Sequence, residues 1–229
     1  MGRALPGTGK HGNVALFVPH AGCSHRCSFC DQQVIAGTGE CLTPDKVEAA
    51  CLQAESRITL PGRQAELAFF GGSFTALPKK EMCALLDAAL PFVRRGVFRG
   101  IRLSTRPDCV DEGILAALAG RSVTAVELGA QSMDDAVLVQ NGRGHTAADV
   151  ERAAGLIRAR GLSLGLQMMT GLPGDTPAGA KRTAEALCAL CPDAVRIYPC
   201  VVVRGTELER RYLAGEYAPA PLRESVDLC

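Results

Sequence analysis

The sequence predicts an α/β fold of parallel strands joined by helical crossovers, and three observations carry that prediction. Six short apolar segments with few charges recur along the 229 residues, at 13–19, 65–70, 100–104, 123–128, 163–169 and 194–202. Between them lie segments whose apolar residues step by three and four, the spacing of a helix with one buried face. Strand and helix alternate throughout, which implies parallel pairing with right-handed crossovers. The series suits an open doubly wound sheet or a curved barrel. Either architecture places its chemistry at the carboxyl ends of the strands.

Each element has its own justification. The strand segments are apolar enough to be buried on both faces, as parallel strands commonly are. The segment 44–58 carries Val47, Ala50, Cys51, Ala54 and Ile58 on one face, with Thr43 placed to cap it and Pro44 at its first position. A second helix begins at Lys79 and buries Met82, Leu85, Leu86 and Ala89. A shorter one presents Ile114, Leu115 and Leu118, and a fourth Val150, Ala153, Ala154 and Ile157. The fifth carries Ala180, Ala184, Leu187 and Cys188. The chain stops soon after the sixth strand, where a sixth helix would begin, so it reads as one domain over 1–229 truncated before the last helix.

At 47% hydrophobic and 21% charged residues, the chain is an ordinary globular one, long enough to bury a core without disulfide staples. No apolar run is long enough to span a bilayer, so no membrane partner is expected. The first residues, MGRALPGTGKHGN, lack a secretory h-region. A cytoplasmic setting follows, and there the eleven cysteines read as metal ligands, catalytic thiols or small core residues rather than disulfides. A net charge of +1 argues neither for nor against nucleic acid. The basic clusters Arg94, Arg95, Arg99 and Arg102, and Arg210 with Arg211, read as solvated helix ends and loop rims.

The first strand runs into PHAGCSHRCSFC, which sets Cys23, Cys27 and Cys30 at C-x3-C-x2-C spacing in a glycine-containing loop. A [4Fe–4S] cube normally takes four thiolates, so three leave one iron open to another ligand. A zinc site is the alternative, with His20, His25 or Cys41 as a fourth ligand. Gly71-Gly72-Ser73 follows the second strand, where paired glycines admit close backbone approach and Ser73 adds a hydroxyl. Ser104 and Arg106 close the third strand at a two-residue spacing that points them to one side. Gln131 ends the fourth strand, Arg143 lies in the loop beyond, and Gln167 sits near the end of the fifth.

The C-x3-C-x-aromatic-C pattern, with Phe29 as the aromatic residue, resembles the signature of radical S-adenosyl-L-methionine (SAM) enzymes. From Val18 to Tyr217, the segments FFGGSFTALP, STRPDCVD, VELGAQSMDD, NGRGHT, GLQMMTGLPGDT and VRIYPCVVVRGTELERRYLAGEY are similar to the radical SAM domain of the Elongator catalytic subunit. They are less similar to oxygen-independent coproporphyrinogen oxidase. The resemblance implies a partial (β/α)6 barrel and a [4Fe–4S] cluster on Cys23, Cys27 and Cys30. It also implies SAM chelated to the open iron and cleaved to a 5′-deoxyadenosyl radical.

By the same resemblance Gly71, Gly72 and Ser73 hold the SAM amino group, although the commoner pattern has a carboxylate where Ser73 stands. Ser104, Arg106, Gln131, Arg143 and Gln167 match SAM-contacting positions. Arg143 is assigned to the methionine carboxylate, and Gln131 and Gln167 to the ribose hydroxyls. Coproporphyrinogen oxidase-like members carry acids at the positions of Ser104 and Gln167.

The loop Gly171-Leu172-Pro173-Gly174 resembles the family's loop near the adenosyl group, and Tyr198 is a pocket residue or a core tyrosine. Asp108, Asp134 and Asp135 read as helix-start residues. Cys188 and Cys191 form a C-x2-C, but Cys188 shares its helix's apolar stripe, so core packing is expected for both.

The resemblance further implies a low-potential electron donor of ferredoxin or flavodoxin type, and tRNA wobble uridine as substrate. The acetyltransferase domain that follows in the Elongator family has no counterpart in these residues. Two alternatives remain open, a radical SAM enzyme acting on a small molecule or tetrapyrrole, and a non-enzymatic zinc-binding module.

Overall fold

The computed structural model describes residues 10–18, 23, 27–31, 41–58 and 63–229. Pro19, His20 and His25 lie outside them. The strands are β1 (Lys10–Val18), β2 (Arg63–Gly71), β3 (Ile101–Thr105), β4 (Val123–Gln131), β5 (Ser163–Thr170) and β6 (Ala194–Pro199). The helices are α1 (Pro44–Ile58), α2 (Lys79–Arg94), α3 (Glu112–Leu118), α4 (Asp135–Gln140), α5 (Ala147–Ala159), α6 (Pro177–Ala189), α7 (Glu207–Leu213) and α8 (Leu222–Leu228). The two helices after β6 correct the expectation of an end before any sixth helix. Both are only seven residues long, too short to show a clear apolar period. The last strand ends at Pro199 rather than 202.

All five strand pairs are parallel, in the order β1-β2-β3-β4-β5-β6. This order decides between the two architectures that periodicity left open. A doubly wound sheet reverses direction at a switch point and carries helices on both faces. An unreversed order with right-handed crossovers sends every helix to one face. The sheet therefore curls into a half-barrel with its helices outside. Its edges are β1 and β6, and β6 is largely exposed.

The core lies between sheet and helices. Leu67, Phe69, Ile101, Leu103, Val126, Leu128, Leu164, Leu166 and Met168 pack against Val47, Cys51, Met82, Leu86, Val150, Ile157 and Leu187. The amphipathic stripes read from sequence supply the helix side of this layer, with Ala184 only partly buried. Thr43 accepts a hydrogen bond from the Lys46 amide at 3.4 Å, the capping role expected of it.

Alternate residues on the inner face are not uniformly apolar, as the sequence reading assumed. Glu127 on β4 is buried and accepts hydrogen bonds from Arg102 of β3 (2.9 Å), Gln167 of β5 (2.7 Å) and Arg196 of β6 (2.9 Å). Arg102 also donates to Glu66 of β2 at 2.8 Å. Two carboxylates, Glu66 and Glu127, thus link five strands inside the curl through Arg102, Gln167 and Arg196. Gly165 makes room for it, since a Cβ there would stand 2.8 Å from the Glu127 Cγ. Arg102 is consequently a barrel-interior residue, not a solvated rim charge.

Cys188 and Cys191 are exposed, against the expectation of core packing. Cys188 sits beside fully buried Leu187 on the flank of α6. Cys191 lies past the end of the helix with a φ of 51°, which turns it to solvent. Tyr198 is 42% exposed and so is not a core residue. Among the described residues no helix is long and apolar enough to cross a membrane.

Candidate functional site

The carboxyl ends of the strands meet around a cavity of about 170 Å³. Its wall contains all eleven candidate residues: Cys23, Cys27 and Cys30; Gly71, Gly72 and Ser73; Ser104 and Arg106; and Gln131, Arg143 and Gln167. Phe29, Thr105 and Gly129 complete it. The sequence did not single out Thr105 or Gly129 as site residues, for neither type carries a signal at a strand end.

Each side chain arrives there for a local reason. Strands β2 and β3 pair only from Leu67↔Ile101 to Phe69↔Leu103, so their ends are free to diverge around the cavity. Gly71 then takes a φ of 104°, a conformation that side-chain-bearing residues rarely adopt. The Gly72 amide donates to the Val18 carbonyl at 2.8 Å, tying this turn to the end of β1. Ser73 is buried, and its hydroxyl lies 3.6 Å from the Cys23 sulfur. On β4 the register shifts between Gly129 and Gln131, and Gln131 takes a φ of 67°. A bulge of this kind re-aims a side chain at a strand end. It sets Gln131 against the cavity.

The arginines are already engaged. Arg143 is buried, donates to the Cys27 sulfur at 3.1 Å, and donates also to the Gly129 carbonyl. Arg106 is paired in a fork with Asp108, so Asp108 is an ion-pair partner rather than merely a helix-start residue. Asp134 does cap α4, accepting from the Ala136 and Val137 amides. Gln167 donates to Glu127 at 2.7 Å, which fixes the orientation of its amide. Behind the wall, burial and the nearby Arg143 charge push His145 down to about 4. The imidazole is therefore neutral near pH 7, with Nε2 3.1 Å from the Ala130 carbonyl.

The Ser104 hydroxyl, the Gln131 carbonyl oxygen and Arg143 Nε are buried without a hydrogen-bond partner among the described residues. Leaving such groups unpaired costs about 1–3 kcal/mol each. Three of them on one cavity wall fit a polar ligand that would satisfy them. No group of three His, Cys, Asp or Glu side chains among the described residues is arranged to hold a metal ion as it stands. The three thiols share one wall of the cavity. Burial pushes the other nearby thiol, Cys109, up to about 11, so it stays protonated. Cys41, the fourth zinc ligand considered from sequence, is exposed and lines a different groove.

The cysteine loop is held from above by a second apolar cluster. Val137, Leu172, Cys200 and Leu208 pack with Phe29, Met169, Val202 and Tyr217. The aromatic residue of the cysteine motif is thus an anchor between the loop and the segments that follow β5 and β6. Tyr217 also donates to the Gly171 carbonyl at 2.9 Å.

Comparison with known proteins agrees with this fold. A tRNA uridine(34) acetyltransferase of Dehalococcoides mccartyi is 27% identical over 243 residues, covering 91% of this chain and 52% of that protein. The mitochondrial radical S-adenosyl methionine domain-containing protein 1 of Mus musculus is 31% identical over 215 residues, covering 91% and 47%. The structure of an archaeal Elp3 from Methanocaldococcus infernus, with an N-terminal deletion, superposes with a TM-score of 0.74 at 24% identity, over 95% of this chain and 52% of that one. The chain spans about half the length of the curated relatives it matches. Residues 192–229 match a radical SAM C-terminal domain. Residues 17–187 match the radical SAM superfamily itself, and with six parallel strands curled around a three-cysteine cavity, the chain belongs to that superfamily.

Proposed function

We propose that residues 1–229 form a radical SAM core that holds a [4Fe–4S] cluster on Cys23, Cys27 and Cys30 and binds SAM along the rest of the same wall. The observation that carries this reading is the meeting of all eleven residues at one cavity that also holds three polar atoms unpartnered among the described residues. When bound, the two groups supply reductive cleavage of SAM to a carbon-centred radical, with the electron coming from a low-potential donor of ferredoxin or flavodoxin type.

The protein's part is to bind, orient and exclude water. The Gly71-Gly72 turn admits close approach of a ligand, and Ser73 offers its hydroxyl there. Arg143 supplies a forked cation for the methionine carboxylate, which it can do by exchanging its contact with the Cys27 sulfur for the ligand. Gln131 and Ser104 offer an acceptor and a hydroxyl with no competing partner among the described residues. Gln167, with its amide held by Glu127, presents its carbonyl oxygen to a ribose hydroxyl. Arg106, fixed by Asp108, adds positive charge to the same wall.

The substrate we infer is an RNA base, tRNA uridine in particular, on the strength of similarity to the tRNA uridine(34) acetyltransferases. The arginines after β6 give this little help. Arg210 is paired with Glu207 and Glu216, and Arg211 with Glu207, so that rim is close to neutral. A small-molecule substrate is the second reading, favoured by this pairing. Salt dependence separates the two, because tRNA binding should fall steeply with added salt, whereas a small neutral substrate should be indifferent to it.

The reaction itself is tested by incubating anaerobically reconstituted protein with SAM and a strong reductant. Slow release of 5′-deoxyadenosine and methionine is expected without added substrate. No release from protein shown to carry the cluster would overturn the assignment.

A further inference from the structure

Asn141, immediately after α4, takes no part in the wall of the cavity, yet it is fully buried and joins three loops. Cys27, Ser28, Phe29 and Cys30 form a tight turn closed by the Cys30 amide on the Cys27 carbonyl at 3.1 Å. Asn141 grips the turn at Ser28 from two directions. Its backbone carbonyl accepts from the Ser28 amide at 3.1 Å, and its Oδ1 accepts from the Ser28 hydroxyl at 2.8 Å. Its Nδ2 donates to the Pro173 carbonyl at 2.9 Å and to the Val137 carbonyl at 2.8 Å. The remaining polar group of Ser28, its carbonyl, accepts from the Leu208 amide at 2.7 Å. Two residues beyond Asn141, Arg143 reaches Cys27.

We infer that Asn141 is a positioning residue for the cysteine loop: it fixes the Ser28-Phe29 turn and so holds Cys27 and Cys30 at a set separation on the cavity wall. The inference rests on reading that loop as the cluster loop. The chemistry favours asparagine here. An amide alone can accept from the Ser28 hydroxyl through its oxygen while donating two hydrogens to two carbonyls. Aspartate would keep the acceptor and face both carbonyls with a negative charge. Alanine would leave a buried hydroxyl and a buried loop carbonyl without their partner, a loss of about tenfold in the local equilibrium or more.

The test compares wild type with Asn141→Ala, Asn141→Asp and Ser28→Ala, after far-UV circular dichroism has established which are folded. In anaerobically reconstituted protein, both Asn141 variants should lose iron to a chelator about tenfold faster than wild type. Their reduced clusters should also give broadened or shifted electron paramagnetic resonance signals. Ser28→Ala removes one hydrogen bond and leaves the Asn141 contacts with Val137 and Pro173 intact, so it should lie between. In the metal-free proteins, alkylation of Cys27 and Cys30 by iodoacetamide should accelerate in the same order, while exposed Cys41 keeps its rate. Unchanged iron loss and alkylation in the folded variants would overturn the inference. Should Asn141→Ala not fold, wild-type behaviour in Ser28→Ala overturns it alone. Wild-type protein that takes up no iron would sink the cluster reading, and alkylation would still decide the role of Asn141.

Discussion

Arg143 illustrates how a single side chain serves two neighbours at this site. One nitrogen sits 3.1 Å from the Cys27 sulfur, another bonds the Gly129 carbonyl, and Nε is unpartnered among the described residues. Replacing it with alanine should weaken SAM binding about tenfold, the loss of one charge-assisted contact, while iron content stays at the wild-type level. Equilibrium dialysis with labelled SAM reads this directly, and equal affinity in the two proteins would reject the role. His145 makes a different prediction. Its folded value of about 4 lies below the ordinary 6.5, so the unfolded chain binds the proton more readily between those limits. Its contribution is intact above about pH 6.5 and is lost as the pH falls towards 4, by about 3 kcal/mol in all. The drop in thermal midpoint from pH 7 to pH 5 should shrink in His145→Gln, and an identical drop would contradict the assignment. Arg143 was visible in the sequence because its segment resembles a SAM-contacting one, in a loop after a strand where chemistry is expected. Asn141 was not, although it lies in the same NGRGHT segment. Its importance comes from contacts with Ser28 and Pro173, which are distant in sequence and leave no local signal.

At the level of elements, the helix stripes were read with little error because one period governs them. Helix α1 has the bounds its spacing predicts, Pro44–Ile58. The six-residue helix α4 was missed, being shorter than two turns. The inner face of the sheet was also misjudged. Each strand was read as buried on both sides, yet Glu66, Arg102, Glu127 and Arg196 form an ion-paired strip across it. A lone acid in an apolar strand such as VTAVELGAQ shows no partner in sequence; its partners stand on three other strands. Glu127→Ala would take the carboxylate from Arg196, leave Arg102 with Glu66 alone, and free the amide of Gln167. A loss of about 3–5 kcal/mol in unfolding free energy is expected, as for breaking a buried pair from one side. Denaturant unfolding measures it, and a change below about 1 kcal/mol would mean that the strip is solvated like a surface pair. The exposed Cys188 and Cys191 follow from the same limit. Apolar spacing placed Cys188 on the flank of a stripe, and only packing shows on which side of the boundary a flank residue falls.

For the molecule as a whole, strand order was the one architectural fact that periodicity could not supply. The unreversed order from β1 to β6 puts the crossover helices on one face and leaves a polar, curled interior open at the strand ends. That arrangement makes one continuous wall of residues that are 144 positions apart at the extremes, from Cys23 to Gln167. The central claim is that three thiols on this wall hold an iron–sulfur cluster with one iron left free for SAM. It is tested most directly by measuring iron, acid-labile sulfide and zinc per chain after anaerobic reconstitution, in wild type and in the single alanine variants of Cys23, Cys27, Cys30, Cys188 and Cys191. About four irons and four sulfides are expected in wild type and in the Cys188 and Cys191 variants, with loss or instability of the cluster in each of the other three. Stoichiometric zinc with no iron in the wild-type protein would contradict it.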